Sequence, residues 1–307
     1  MNPFELPEEH FLARKDVLLW GIEDRSLAMA KFAHETYEHR DILIDAWNFC
    51  CYDLIDAPTA RLDHLTKVGY FPWAEASKEL DQALSLTMIG HYKNAYDSLR
   101  RAFELVVTGS YFVLDDIERA KAIAWIKSKR GTPNFKRAVR YLLKDQTFKT
   151  CNDECKWETY MLELYWHLCD VVHVSGTRNS LDAIAPSFSS INGIHSLGFH
   201  EDSCRNALDA FIQTVRAIAC TVALSNPVLL VGFDLDVKFG LNPPSSGFFY
   251  PGQAELLRRL IVEQFQPFMK RLADTDEKVQ SLTAWFNSLP DITTEQIARQ
   301  ARTIFPT

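Results

Sequence analysis

The stretch "HYKNAYDSLRRAFELVV", His91 to Val107, places Tyr92, Ala95, Leu99, Phe103 and Val106 at steps of three and four. That spacing draws one apolar stripe down a helix. Extended upstream, the stripe takes in Leu84 and Met88, with Gly90 positioned to kink the helix or split it in two. A second stripe runs Trp157, Met161, Leu164, Leu168, Val172. A third runs Cys204, Leu208, Phe211, Val215, Ile218, Val222. Each stripe buries its face only against partners, so three of them predict a helical bundle.

Shorter helices are expected over "DVLLWGIEDRSLAMAKFAHETYEHRDILIDAWNFCCYDLI", "DIERAKAIAWIKSK" and "NFKRAVRYLLKD", the last two joined by the turn "RGTP". After Pro227 the pattern changes. "FDLDVKF" alternates Phe233, Leu235, Val237, Phe239 with Asp234, Asp236, Lys238, the period of a half-buried strand. "PVLLV" or "GFFY" would pair with it, and "GLNPPSSG" reads as a loop. Helices return at "QAELLRRLIVEQFQPFMKRLA", where Pro267 should kink or stop the helix. Thr293-x-x-Gln296 has the form of a capping box. The expected architecture is therefore all-α, with a small β-ribbon or irregular insert near residues 228–250. In domain terms this gives a bundle over 1–226, the insert over 227–250, and helices over 251–307 packed on the bundle.

The chain has 307 residues, 47% hydrophobic and 24% charged, which suits a globular protein with a sizeable core. A net charge of -7 argues against a broad cationic surface. The local exception is "KSKRGTPNFKRAVR", Lys127 to Arg140, for which a solvated loop and helix face is the simpler account. The opening "MNPFELPEEHFLARKD" has no apolar core of a secretory signal. The longest apolar run is broken at Asn226 and Pro227, short of a bilayer span. Seven cysteines do not resemble a disulfide framework. These features predict a cytoplasmic protein with reduced thiols and no membrane association.

Several chemistries are disfavoured by phase. Cys151-x3-Cys155-x11-His167-x5-His173 resembles zinc spacing, but His167 and His173 stand about 120° apart on a helix. The simpler account is two thiols in an interhelical loop. "HETYEH" separates His34 from His39 by about 140°, not the i,i+4 of a metalloprotease, and reads as ion pairs on a solvated helix. No Glu-x-x-His occurs for a di-iron site. Asp234 and Asp236 lack an accompanying nucleotide-binding glycine loop and are better placed on a strand's solvent face. No Gly-x-Ser-x-Gly elbow is present. No metal and no cofactor is expected.

What remains is Arg100 and Glu104 beside the first stripe, and Asp170, His173 and Ser175 in "LCDVVHVSG". Asp97–Arg101 and Arg100–Glu104 are i,i+4 pairs, and surface ion pairing accounts for both. Asp170 precedes His173 by three residues and can orient or charge its imidazole. His173 is expected at an interhelical junction facing Arg100 or Glu104, at the edge of the seam between the two helices.

Gly90, Tyr92, Ala95, Arg100 and Glu104, followed by His173, Ser175 and Gly176, resemble the HEPN class of bacterial helical proteins over about Leu80 to Leu224. The resemblance implies a bundle of four or more helices, frequent dimers, and roles in toxin, abortive-infection or other defence systems. Active members of that class are metal-independent ribonucleases with an Arg-x4-6-His motif, whose His works as acid or base. None of the nine histidines here follows an arginine at that spacing. The expected function is thus a non-catalytic HEPN-like binding or scaffold component of a bacterial defence or toxin-type system. Arg100, Glu104, Asp170, His173 and Ser175 would line its ligand pocket. A homo-oligomer or protein partner is expected, with RNA or a nucleotide as a possible ligand. The alternatives are a divergent metal-independent ribonuclease using Arg100 and His173, and a structural oligomer subunit.

Overall fold

The computed structural model describes residues 26–57, 70–114, 116–172, 201–243 and 248–304. It is all-α. Helix α1 (Arg40–Asn48) runs through a π-turn, Phe49–Asp53, into a closing turn. Then come α2 (Tyr70–Met88), α3 (Tyr92–Val113), α4 (Asp116–Ile126), α5 (Phe135–Leu142), α6 (Gln146–Cys155) and α7 (Trp157–Val172). Helix α8 (Glu201–Ser225) crosses the middle of the molecule, with Ala217, Ile218, Ala219, Cys220, Val222 and Ala223 all fully buried. The chain continues through the short α9 (Leu235–Phe239) to α10 (Pro251–Leu260), α11 (Gln266–Thr275), α12 (Glu277–Ser288) and α13 (Thr294–Ile304).

Gly90 splits the first stripe rather than kinking it. It sits in a left-handed turn, φ 80°, between α2 and α3, a conformation that costs glycine no Cβ clash. Helix α3 is the axis of the bundle and packs against α2, α7, α8 and α5. One continuous apolar core runs from Met29 to Met269, and α10 and α11 contribute to it through Leu257, Leu260 and Met269. A second, smaller core gathers Val228, Phe233, Leu235, Val279 and Phe286, so α12 packs on the insert. Among the described residues α8 alone is long and apolar enough to cross a membrane, yet 83% of its most apolar window is buried inside the bundle.

Of the two expectations for residues 228–250, the irregular insert stands and the β-ribbon is corrected. Pro227–Leu230 is a 3-10 turn and Leu235–Phe239 is a helix. The only β-bridge among the described residues joins Gly232 and Phe249, beside Phe233 N–H donating to Phe249 O at 2.8 Å. Seven residues, Phe233 to Phe239, are too few to separate a period of 2 from one of 3.6, and an isolated strand has no ladder to join. Asp234 therefore flanks a helix start instead of a strand face, and Asp236 accepts from the Tyr250 hydroxyl at 2.9 Å.

Three smaller expectations also change. Cys151 and Cys155 lie inside α6, not in a loop. "HETYEH" is no solvated helix: a π-turn, Phe32–Thr36, ends at Tyr37, whose ψ of 119° breaks the chain direction. Glu38 pairs with Arg205 on α8 rather than with His34. Pro267 opens α11 after the 3-10 turn Glu263–Phe265, since a proline has no N–H to lose in a first helical turn. The capping box at Thr293 forms: Thr293 N–H donates to Gln296 at 2.8 Å and Gln296 N–H to Thr293 Oγ1 at 3.3 Å.

The tyrosines of the bundle predict an alkaline limit. Burial, first among the causes, pushes the phenols of Tyr37, Tyr96, Tyr160 and Tyr165 up, and hydrogen bonds to Asp209 and Glu104 add to it at Tyr37 and Tyr165. An unfolded phenol ionises near pH 10. A raised native value means stability is fully present below about pH 10 and falls as pH rises through it, because only the unfolded chain releases those protons. Phenolate absorbance and loss of helical circular dichroism should rise together above about pH 10. Complete phenolate titration with an unchanged helical signal would contradict this.

Candidate functional site: a polar seam between α3 and α7

Arg100 and Glu104 leave α3 one turn apart and meet the face of α7 that carries Tyr165 and Cys169. Arg100 donates to Asp97 Oδ1 at 2.9 Å and stands 3.6 Å from Glu104 Oε1. Glu104 in turn accepts from the Tyr165 hydroxyl at 2.8 Å. Tyr165 stacks on Phe135 of α5, ring centroids 4.1 Å apart at 10°, which fixes the phenol from behind. Arg101 joins from the other side through Asp97, Ser98 and Glu79, the last at 2.9 Å on α2. The cluster thus bolts α2, α3 and α7 together with charges that are about three-quarters covered at Arg100 and Glu104.

Its chemistry is that of held charges. Arg100 faces two carboxylates, Asp97 shared with Arg101 and Glu104 shared with Tyr165, while its buried Nε makes no hydrogen bond to a described residue. Burial, and then the bond to Glu104, pushes the Tyr165 phenol up. Burial also pushes the Cys169 thiol up, so at neutral pH it is not a thiolate nucleophile. Asp170 is solvent-exposed on α7, one position beyond Cys169. His173 and Ser175 lie outside the described residues, as does the expected approach of His173 to Arg100 or Glu104. His167 packs edge-on against Tyr96 at 6.1 Å. No group of three or more His, Cys, Asp or Glu placed to hold a metal occurs among the described residues.

The two ion pairs were legible as i,i+4 spacings. Tyr165, Cys169 and Glu79 were not singled out, although Tyr165 and Cys169 are themselves i,i+4 and flank the Met161–Leu168 stripe.

A second polar surface lies on α4–α6. Between Lys121 and Lys149 the chain carries Lys121, Lys127, Lys129, Arg130, Lys136, Arg137, Arg140, Lys144 and Lys149 against one acid, Asp145. Asp145 is occupied as the N-cap of α6, accepting from Thr147 N–H and Phe148 N–H. Helix α5 turns Phe135, Ala138, Val139 and Leu142 inward and leaves Lys136, Arg137 and Arg140 exposed, with Lys144 just past its end. Of these, Arg140 pairs with Glu158 at 2.8 Å and Lys144 lies over the Tyr141 ring. Beside this face the α4–α5 loop turns at Ser128 (φ 53°) and shapes a hollow of about 610 Å³. Half-exposed Phe71 and the Trp125 indole stand edge to face in it, with Lys129 and Arg130 on its rim.

No family model, no curated protein and no solved structure matches the chain.

Proposed function

We propose that the chain is a non-catalytic, HEPN-like helical binding component of a bacterial defence or toxin-type system, and that it holds single-stranded RNA on the α4–α6 face. The observation that carries this reading is the nine-to-one excess of cations over acids between Lys121 and Lys149 in a chain of net charge -7. The rest of the molecule is therefore strongly acidic and repels a polyanion, so binding would be confined to this face. Phe71 and Trp125 offer a stacking shelf beside the cations, the combination that grips single strands without reading sequence. Rigid support comes from Phe135, Ala138, Val139 and Leu142, which anchor α5 in the core.

The seam serves a structural role in this reading. A ribonuclease built on Arg100 would need that guanidinium free to hold phosphate, and Asp97 and Glu104 already occupy it.

The test is fluorescence anisotropy with a labelled single-stranded RNA across a salt series, with the RNA recovered afterwards. Expected are a linear fall of log affinity with log salt and intact RNA. Lys129→Glu/Arg130→Glu together with Lys136→Glu/Arg137→Glu should weaken binding at least tenfold, and Phe71→Ala should weaken it without changing the salt slope. Equal binding by the charge-reversed variant would overturn the assignment of the face. Cleavage in EDTA, abolished by both Arg100→Ala and His173→Ala, would replace it with the nuclease.

A further inference from the structure

A further cavity lies neither at the seam nor on the basic face. It is a cleft of about 870 Å³ where α10 turns back into α11 against the segment Leu230–Gly232. Volumes of 300–1,000 Å³ are usual for small-molecule sites. Its floor is apolar and comes from three elements: Leu230, Ile261 and Met269 are nearly fully buried, and Val231, Pro267 and Ala273 complete it. Met269 gives the floor an adaptable, polarizable surface.

The cleft is preformed by hydrogen bonds behind it. Arg216 of α8 donates to Leu260 O at 3.2 Å and pairs with Glu263 at 2.8 Å, which fixes the α10–α11 elbow. Arg258 donates to Leu230 O at 2.6 Å and ties α10 to the opposite wall. Gly232 lets that wall approach closely, since a Cβ there would stand 2.3 Å from Pro251 Cα.

The charges at the mouth are unequal. Arg259 is satisfied by Asp45 at 2.8 Å and by Glu255 at 3.3 Å, and so removes Glu255 from the account. Arg258 gives one nitrogen to a backbone carbonyl and faces no carboxylate among the described residues, and Lys270 likewise has no acidic partner there. Asp274, one turn beyond Lys270, is the remaining acid. Two unmatched cations over an apolar floor attract an anionic head on an apolar body. Asp274 opposes a second negative charge.

We infer that this cleft binds a monoanionic organic acid with an apolar body, its carboxylate between Arg258 and Lys270 and its body on Leu230, Ile261 and Met269. The same chemistry is met by an alkyl chain and by a fused aromatic ring, and the two are separated by experiment. The full-length chain is titrated by calorimetry with decanoate, kept below its micellar range, with 2-naphthoate, and with decylammonium as the reversed-charge control. Expected is saturable one-site binding of at least one acid, with whichever binds tighter identifying the body, and much weaker binding of decylammonium. Lys270→Glu, on an exposed helix face, should weaken the acid about tenfold, the scale of one lost charge-assisted contact. Ala273→Trp should fill the floor and abolish binding while RNA anisotropy stays unchanged. No saturable binding of either acid, decylammonium binding as tightly as the acids, or full binding by Lys270→Glu would each overturn the inference. Should Ala273→Trp fail to fold, the Lys270→Glu and reversed-charge arms still decide.

Discussion

Gly109→Val is expected to destabilise the bundle by roughly 3 kcal/mol or more, at the upper end of what overpacking a core costs. Gly109 lies near the end of α3, in its last turns. On helix propensity alone an alanine there should help, since glycine in a helix costs about 0.5–1 kcal/mol relative to alanine. Space reverses the sign. A Cβ at Gly109 would stand 2.6 Å from Cδ1 and Nε1 of Trp73 and 3.3 Å from Pro72 Cβ on α2. The indole cannot swing aside: Trp73 is 2% exposed, and its Nε1 donates to Val106 O at 3.1 Å. Gly109→Ala should thus cost about 1–3 kcal/mol despite its better propensity, and valine more. For a chain of this size each kcal/mol lowers the thermal midpoint by roughly 2–4 °C. Thermal melts of both variants check this, and a rise in midpoint for Gly109→Ala would refute it. In the Trp73→Phe background the Gly109→Ala cost should shrink, because the two sites share one contact.

How far the fold could be read depended on the length over which each pattern repeats. The stripes of α3, α7 and α8 run for four turns or more, so the 3.6 period separates cleanly from alternation, and their residues are buried in the core, except Leu164 and Val172 of α7, which are partly buried against it. "FDLDVKF" spans too little chain for that. Phe233 and Leu235 are buried in the small core, but Val237 is 43% exposed, so the apparent alternation did not mark one buried face. Capping chemistry was readable because it is local: Thr293 and Gln296 need only each other. The seam was half readable for the same reason. Arg100–Glu104 lies within one helix, whereas Tyr165 reaches Glu104 across 61 residues, and no spacing encodes which helices pack side by side. The basic face was visible as composition, but that Asp145 is consumed as an N-cap, and that α5 turns its cations outward together, are consequences of packing. The α10–α11 cleft left no sequence signal, since it is a space between elements.

Trp157→Ala is the second large effect, and its comparison with Trp157→Phe tests the packing at the start of α7. Lys156 is left-handed, φ 60°, and lets the chain reverse from α6 into α7 within one residue. The reversal aims Trp157 straight into the core, where it is fully buried and meets Phe148 of α6 edge to face at 4.9 Å. Asn152 closes the junction by accepting from Glu158 N–H at 2.9 Å. Truncating the indole leaves a cavity that the tight α6–α7 junction holds open, so alanine should cost about 3–5 kcal/mol. Phenylalanine removes volume too, but it also removes a liability. The Trp157 Nε1 donor is buried and makes no hydrogen bond to a described residue, and such a donor costs about 1–3 kcal/mol. Relief of that penalty offsets much of the lost packing. Trp157→Phe should therefore cost well under half of Trp157→Ala in denaturant titrations at matched slope. Equal costs for the two variants would mean that the indole N–H is paired in solution and that the core at this junction is satisfied rather than strained.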